Sequence, residues 1–118
     1  GLEVRTVSDL RRAARAILAA GARAVVVKGG HLNGPPIDVF DDGTRVLELS
    51  GARIDTVHTH GTGCTMASAI AAQLALGRPL VEAVAAAKRY VARAIATARS
   101  IRGCSCAALQ TAAPAATC

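Results

Sequence analysis

Tryptophan is absent from the 118-residue chain, and Phe40 and Tyr90 are its only aromatic side chains. A core must therefore be assembled from Ala, Val, Leu and Ile, which bury less area per residue. At about 25 cal/mol per Å² of apolar surface, such a core leaves a thin margin unless neighbouring chain or a partner subunit covers its faces. Long apolar runs are missing too. Nothing approaches the ~20 residues a membrane helix needs, and no basic segment leads into an apolar stretch with a cleavage site. A membrane partner is not expected, and the reading is a cytoplasmic protein. The cysteines Cys64, Cys104, Cys106 and Cys118 form no CxxC pair and have no histidine spacing of a zinc site, so no metal ligands are assigned. Without a secretion signal a disulfide scaffold is not expected, and Cys104, Cys106 and Cys118 read as free thiols. Acidic residues are scarce, 8 against 14 basic ones for a formal charge of +6. The arginines scatter without a dense stripe or aromatic stacking partners, which argues against a nucleic-acid partner.

What is present reads as an α/β chain with one domain over residues 1–102 and a tail over 103–118. Ser8 is a candidate N-cap, and Leu10, Ala13, Ala14, Ile17 and Leu18 recur at helical spacing until Gly21, predicting a helix over 9–20. Ala24 to Val27 is a short β-branched run, expected to be an interior strand covered on both faces over 24–28 as in a parallel sheet. It ends at Lys28-Gly29-Gly30, giving half of a βαβ unit. Residues 37–40 and 45–49 flank Asp41-Asp42-Gly43-Thr44, whose Asp-Gly step favours a hairpin. A further extended piece is expected over 52–57. The segment 65–76 is apolar nearly all round and stops at Gly77, which predicts a buried helix. Pro79 suits the first position of an amphipathic helix over 79–100, with Leu80, Val84, Ala87, Val91, Ile95 and Ala98 on one stripe. From Gly103 the pattern collapses into an Ala, Cys and Thr mixture containing Pro114, read as a disordered or frameshift-like tail.

Chemistry concentrates where the polar loop His58-Thr59-His60-Gly61-Thr62-Gly63 opens the 65–76 helix with Cys64 at its first turn. Helix N-termini present unpaired N–H groups and the positive end of the macrodipole, and glycines let backbone approach an anion. A phosphate suits such a loop, although a tight structural turn accounts for a GxG equally well. The pattern is neither GxxxxGK[ST] nor a strand running into GxGxxG. Cys64 stands where the dipole favours a thiolate and could act as base or nucleophile, or be an inert packed thiol. His60 could assist at a phosphate; with His58 it could equally be loop scaffold.

Val25-Val26-Val27-Lys28-Gly29-Gly30-His31-Leu32, then Asp38-Val39-Phe40 with Asp42-Gly43, and finally His60-Gly61-Thr62-Gly63-Cys64-Thr65 before an Ala-rich helix, resemble hydroxymethylpyrimidine/phosphomethylpyrimidine kinases. Glu82-Ala83-Val84 and Ala87-Lys88-Arg89-Tyr90-Val91 extend the resemblance over residues 1–102. It implies the C-terminal portion of a ribokinase-like three-layer α/β/α fold with a small β-hairpin. It also implies ATP, with Mg²⁺, phosphorylating the hydroxymethyl group of an aminopyrimidine and then its monophosphate. By the same resemblance Cys64 is the catalytic base, the amides of Gly61, Thr62, Gly63 and Cys64 form an anion hole, and Lys28, Gly29, Gly30 and His60 contact the nucleotide. Cys64 stands where other ribokinase-like enzymes, including most pyridoxal kinases, carry Asp.

Family members are longer, and their pyrimidine-recognising strands and Asn/Glu metal motif have no counterpart here. The expected partners are therefore the pyrimidine or its phosphate, ATP, and either a further copy or the N-terminal half that is lacking. The alternatives are a non-catalytic phosphate- or nucleotide-binding remnant, which would bind ATP without turnover, and a pyridoxal kinase-like enzyme.

Overall fold

A computed structural model describes residues 3–30, 32–51, 53 and 61–97. The chain divides into two compact units, Gly1–Arg53 and Ile54–Cys118. The expected extended piece over 52–57 and the tail over 103–118 lie outside the described residues, apart from Arg53.

In the first unit, helix α1 spans Val7–Ala19. Its N-cap is Thr6 and not the expected Ser8. Thr6 is extended, its hydroxyl accepts from the Asp9 amide, and the Asp9 carboxylate accepts in return from the Thr6 amide at 2.9 Å. This reciprocal capping box satisfies donors on both sides of the helix start. Ser8, already inside the first turn, has no such geometry to offer. The stop at Gly21 is as expected, with φ +108° just beyond the C-cap Ala20.

Three strands follow, β1 Val25–Val27, β2 Asp38–Asp41 and β3 Val46–Leu49, in the order β1-β2-β3 with both pairings antiparallel. The 2–3 hairpin stands where the Asp-Gly step placed it: the Asp42 carboxylate collects the Thr44 and Arg45 amides, and Gly43 takes φ +82°. The interior-strand expectation for residues 24–28 is corrected. Among the described residues β1 is an edge strand, only half-buried, and its partner runs antiparallel. A β-branched run reports that a strand is apolar, and pairing direction depends on which neighbour is present to take its hydrogen bonds.

Register explains how α1 is held. Val25 pairs with Asp41, Val27 with Val39, and Val39 with Glu48, so these residues share one face of the sheet. On that face Leu10, Ala14 and Val39 form a buried cluster with Val7, Val25, Val27 and Leu32 around it. Two ion pairs flank it, Arg15 Nε to Asp41 Oδ2 at 2.9 Å and Arg11 to Glu48 at 2.7 Å.

The second unit is a helical hairpin of α2, Thr62–Ala75, and α3, Leu80–Ala96, turned by Gly77 at φ +78°. Pro79 is the N-cap of α3, one residue before the position expected. Ala83, Val84, Ala87, Val91 and Ala94 form the buried stripe of α3, with Arg89 and Arg93 exposed. The burial expected of the 65–76 helix is corrected: of α2 only Met66 is buried, and Leu74 and the adjoining Leu76 are 43% and 74% exposed. An all-round apolar helix needs cover on every side, whereas α3 supplies cover on one.

Candidate functional site

The start of α2 is built by one glycine. Gly61 is the N-cap in the left-handed region at φ +80°, a conformation glycine adopts without a Cβ penalty, and no side chain caps the helix there. The Gly61 carbonyl accepts from the Thr65 amide at 2.9 Å and from the Thr65 hydroxyl at 2.9 Å, which anchors the first turn. The amides at N2 and N3, Gly63 and Cys64, have no intrahelical acceptor within reach of the 3.6-residue repeat. Gly63 and Cys64 are both exposed, and a Cβ built on Gly63 meets nothing within 4 Å. The polarity of this helix end is the one an oxyanion needs, and the side of Gly63 is unobstructed.

From this end a groove of about 550 Å³ runs between α2 and α3, lined among others by Cys64, Thr65, Ser68 and Gln73 on one helix and Ala87 and Tyr90 on the other. The Gln73 Oε1 atom is buried without a hydrogen-bond partner.

The second segment expected to contact a nucleotide ends β1 in the other unit. Lys28 and Gly30 are exposed there, whereas Gly29 is buried. Gly29 is fixed by packing: an added Cβ would fall far inside contact distance of the Ile37 carbonyl oxygen and 2.9 Å from Leu10 Cδ1. Its amide donates to Asp38 Oδ1 at 3.0 Å, so this glycine serves the fold whatever its neighbours bind. His60 and His58 lie outside the described residues, as does His31. No group of three His, Cys, Asp or Glu side chains able to hold a metal occurs among the described residues.

Sequence reasoning missed two buried acids, Asp38 and Asp41, each 1% exposed. Asp38 ties the Gly29 loop to β2, and Asp41 accepts from the Gly43 amide at 2.8 Å while facing Arg15. Aspartate is depleted in strands, so two of them bracketing Val39-Phe40 were a signal that their carboxylates have fixed partners.

Comparison with known proteins places these features in a family. The profile of phosphomethylpyrimidine kinase matches residues 1–107. Hydroxymethylpyrimidine/phosphomethylpyrimidine kinases of Streptomyces coelicolor and Rhizobium meliloti are each 52% identical, over 80% and 77% of this chain. The chain spans about a third of their length, 35% in both cases. Among solved structures, an ADP complex of Bacillus subtilis pyridoxal kinase superposes with a TM-score of 0.80 at 40% identity, over 84% of this chain and 38% of that one. The ribokinase-like fold and the family resemblance read from the sequence are thereby borne out, and the chain belongs to the phosphomethylpyrimidine kinase family.

Proposed function

We propose that this chain is the phosphate-handling part of a kinase that transfers the γ-phosphoryl group of ATP to hydroxymethylpyrimidine and then to its monophosphate. The observation that carries the reading is the start of α2, which no side chain caps, where Gly61 takes a left-handed turn and Gly63 and Cys64 are exposed. Phosphoryl transfer asks little covalent chemistry of a protein and much positioning and charge stabilisation. Backbone amides at a helix end fit that demand because they are preorganised towards the charge that develops on the phosphoryl oxygens.

Cys64, exposed in the first turn of α2, is assigned as the base. In the proposed step its thiolate accepts the hydroxymethyl proton, the freed oxygen bonds to the γ-phosphorus, and the bond to the β,γ-bridging oxygen breaks to release ADP. The amides of Gly61, Thr62, Gly63 and Cys64 hold the phosphoryl oxygens. Lys28 and Gly30, exposed at the end of β1, are assigned with His60 to the nucleotide. Mg²⁺ neutralises phosphate charge in such reactions; the described residues offer no ligand set for it, and no step here is routed through it.

The test joins residues 1–118 to the portion of the Streptomyces coelicolor kinase outside its matched 95 residues. A positioned base contributes about 10²–10⁴-fold, so Cys64→Ser lowers kcat by that factor with nucleotide binding nearly intact, and Cys64→Asp restores part of the rate. Unaltered turnover in Cys64→Ser would remove Cys64 from the role of base. The likeness to a pyridoxal kinase favours one second reading, acceptance of a pyridoxal-type alcohol. Competition between the two alcohols in the same assay decides it.

A further inference from the structure

The connection from β1 to β2 is made of pieces of unequal stiffness. Near its start stands Gly30, exposed and with nothing within 4 Å of an added Cβ, and towards its end Pro35-Pro36, whose rings fix φ. Glycine loses more conformational freedom on ordering than any other residue, so a connection of this make-up holds one shape only where bonds from outside it do the holding. A side chain from further along the chain supplies them. Arg53 Nε donates to the Gly34 carbonyl at 2.8 Å, and Arg53 Nη2 donates to the Leu32 carbonyl. The planar fork of one guanidinium thus grips both sides of Asn33, next to the left-handed Gly34 at φ +94°. From Leu32 the bonding continues inward. The Leu32 amide donates to the Gly29 carbonyl at 3.0 Å, and the Gly29 amide donates to Asp38 Oδ1 at 3.0 Å. The Leu32 side chain packs against the cluster of Leu10, Ala14 and Val39.

We propose that Arg53 is a positioning residue for the nucleotide: by holding the turn at Leu32 and Gly34 it fixes the Gly29 peptide, and with it the way Lys28 and Gly30 meet the phosphates of ATP. It acts through the backbone. The guanidinium orders the Leu32 carbonyl, the Leu32 amide orders the Gly29 carbonyl, and Gly29 stands between the two residues assigned to the nucleotide. Hydrogen bonds from a charged donor are about twice as strong as neutral ones, which suits an exposed side chain that has to order exposed backbone. Lysine, a single ammonium on a flexible stem, cannot present the same planar pair of donors. The inner end of the relay is secured separately by the buried Asp38 carboxylate, so loss of Arg53 loosens the turn and leaves the sheet standing. The inference rests on the kinase reading for what Lys28 and Gly30 bind, and on the hydrogen bonds alone for the hold on the turn.

The experiment compares Arg53→Met and Arg53→Lys with the parent in two settings. In the chimera of residues 1–118 with the remaining portion of the Streptomyces coelicolor kinase, Arg53→Met is expected to raise KM for ATP about tenfold, with kcat and KM for the pyrimidine within about threefold. Arg53→Lys keeps the charge but not the fork, and its KM for ATP is expected to stay roughly threefold or more above the parent value. In the ¹⁵N-labelled chain of residues 1–118, the Leu32 amide is expected to exchange with solvent about tenfold faster in Arg53→Met, while the amides of α1 and β2 keep the parent rates. A merely structural role would speed exchange in α1 and β2 as well and move kcat and both KM values together, and that result overturns the proposal. So does an active chimera whose KM for ATP ignores Arg53→Met, an unchanged Leu32 exchange rate, or an Arg53→Lys enzyme indistinguishable from the parent, which would reduce Arg53 to a charge. A parent chimera that binds no ATP sinks the kinase reading and the nucleotide role with it, and the Leu32 exchange rate then decides the hold of Arg53 on the turn.

Discussion

Replacing Gly29 by alanine tests whether the loop after β1 is set by packing. The added Cβ would meet two groups of different pliancy. Leu10 Cδ1, at 2.9 Å, is the end of a flexible side chain and can swing aside. The Ile37 carbonyl oxygen belongs to the backbone leading into β2, and no rotamer relieves a contact so far below van der Waals separation. The loop must move, and the 3.0 Å bond from the Gly29 amide to Asp38 Oδ1 is lost with it. Overpacking of this kind costs about 1–3 kcal/mol. Removing a donor from a buried carboxylate costs about 1.5–3 kcal/mol. Together they amount to roughly 2.5–6 kcal/mol, against a typical domain stability of about 5–15. The matched control is Gly30→Ala, where a Cβ meets nothing within 4 Å and φ is not positive, so stability should stay within about 0.5 kcal/mol. Urea denaturation of both variants, followed by circular dichroism, measures the difference. A Gly29→Ala protein as stable as Gly30→Ala would refute the close approach and the role given to Asp38.

Removing Arg15 leaves the buried Asp41 carboxylate without its cationic neighbour; with the guanidinium half exposed, Arg15→Ala should cost about 1–2 kcal/mol in denaturant titration, below the full penalty for a broken buried pair. Hydrogen bonds from the Thr44 hydroxyl and from the Arg45 and Thr44 amides depress the Asp42 pKa to about 2 from 3.8. A depressed carboxylate stabilises the fold above its unfolded pKa and loses that contribution as pH falls through the folded one. Thermal midpoints should therefore fall between pH 4 and 2, and less steeply in Asp42→Asn; parallel curves would show that the turn contributes nothing to acid sensitivity.

Features set by a few neighbouring residues could be read before any coordinates. The Asp-Gly hairpin and the stops at Gly21 and Gly77 follow from local backbone chemistry and stand where expected, whereas α2, expected over 65–76, already begins at Thr62 because Gly61 takes the left-handed N-cap turn. What was misread depends on pairing, between near neighbours at the first cap and between distant segments elsewhere. Ser8 and Thr6 are both good caps in isolation, and the choice falls to Thr6 because Asp9, three residues on, completes the reciprocal pair. The Val25–Val27 run disclosed an apolar strand but not its antiparallel neighbour. Asp38 and Asp41 became legible only once the fold had brought Gly29 and Arg15 to them. The apolarity of α2 suggested burial, which the structure corrects: only Met66 is buried, on the side that meets α3.

The central claim is that the start of α2 binds phosphate, and amide chemical shifts of the ¹⁵N-labelled chain during titration with ATP or inorganic pyrophosphate test it most directly. The account predicts that the largest shifts fall on Gly61, Gly63 and Cys64, with the α1 and hairpin amides undisturbed. It also predicts their loss in Gly63→Val, which puts a branched side chain beside these amides at a position where an added Cβ meets nothing within 4 Å. Saturable shifts centred elsewhere, or a Gly63→Val protein that binds as tightly as the parent, would contradict it.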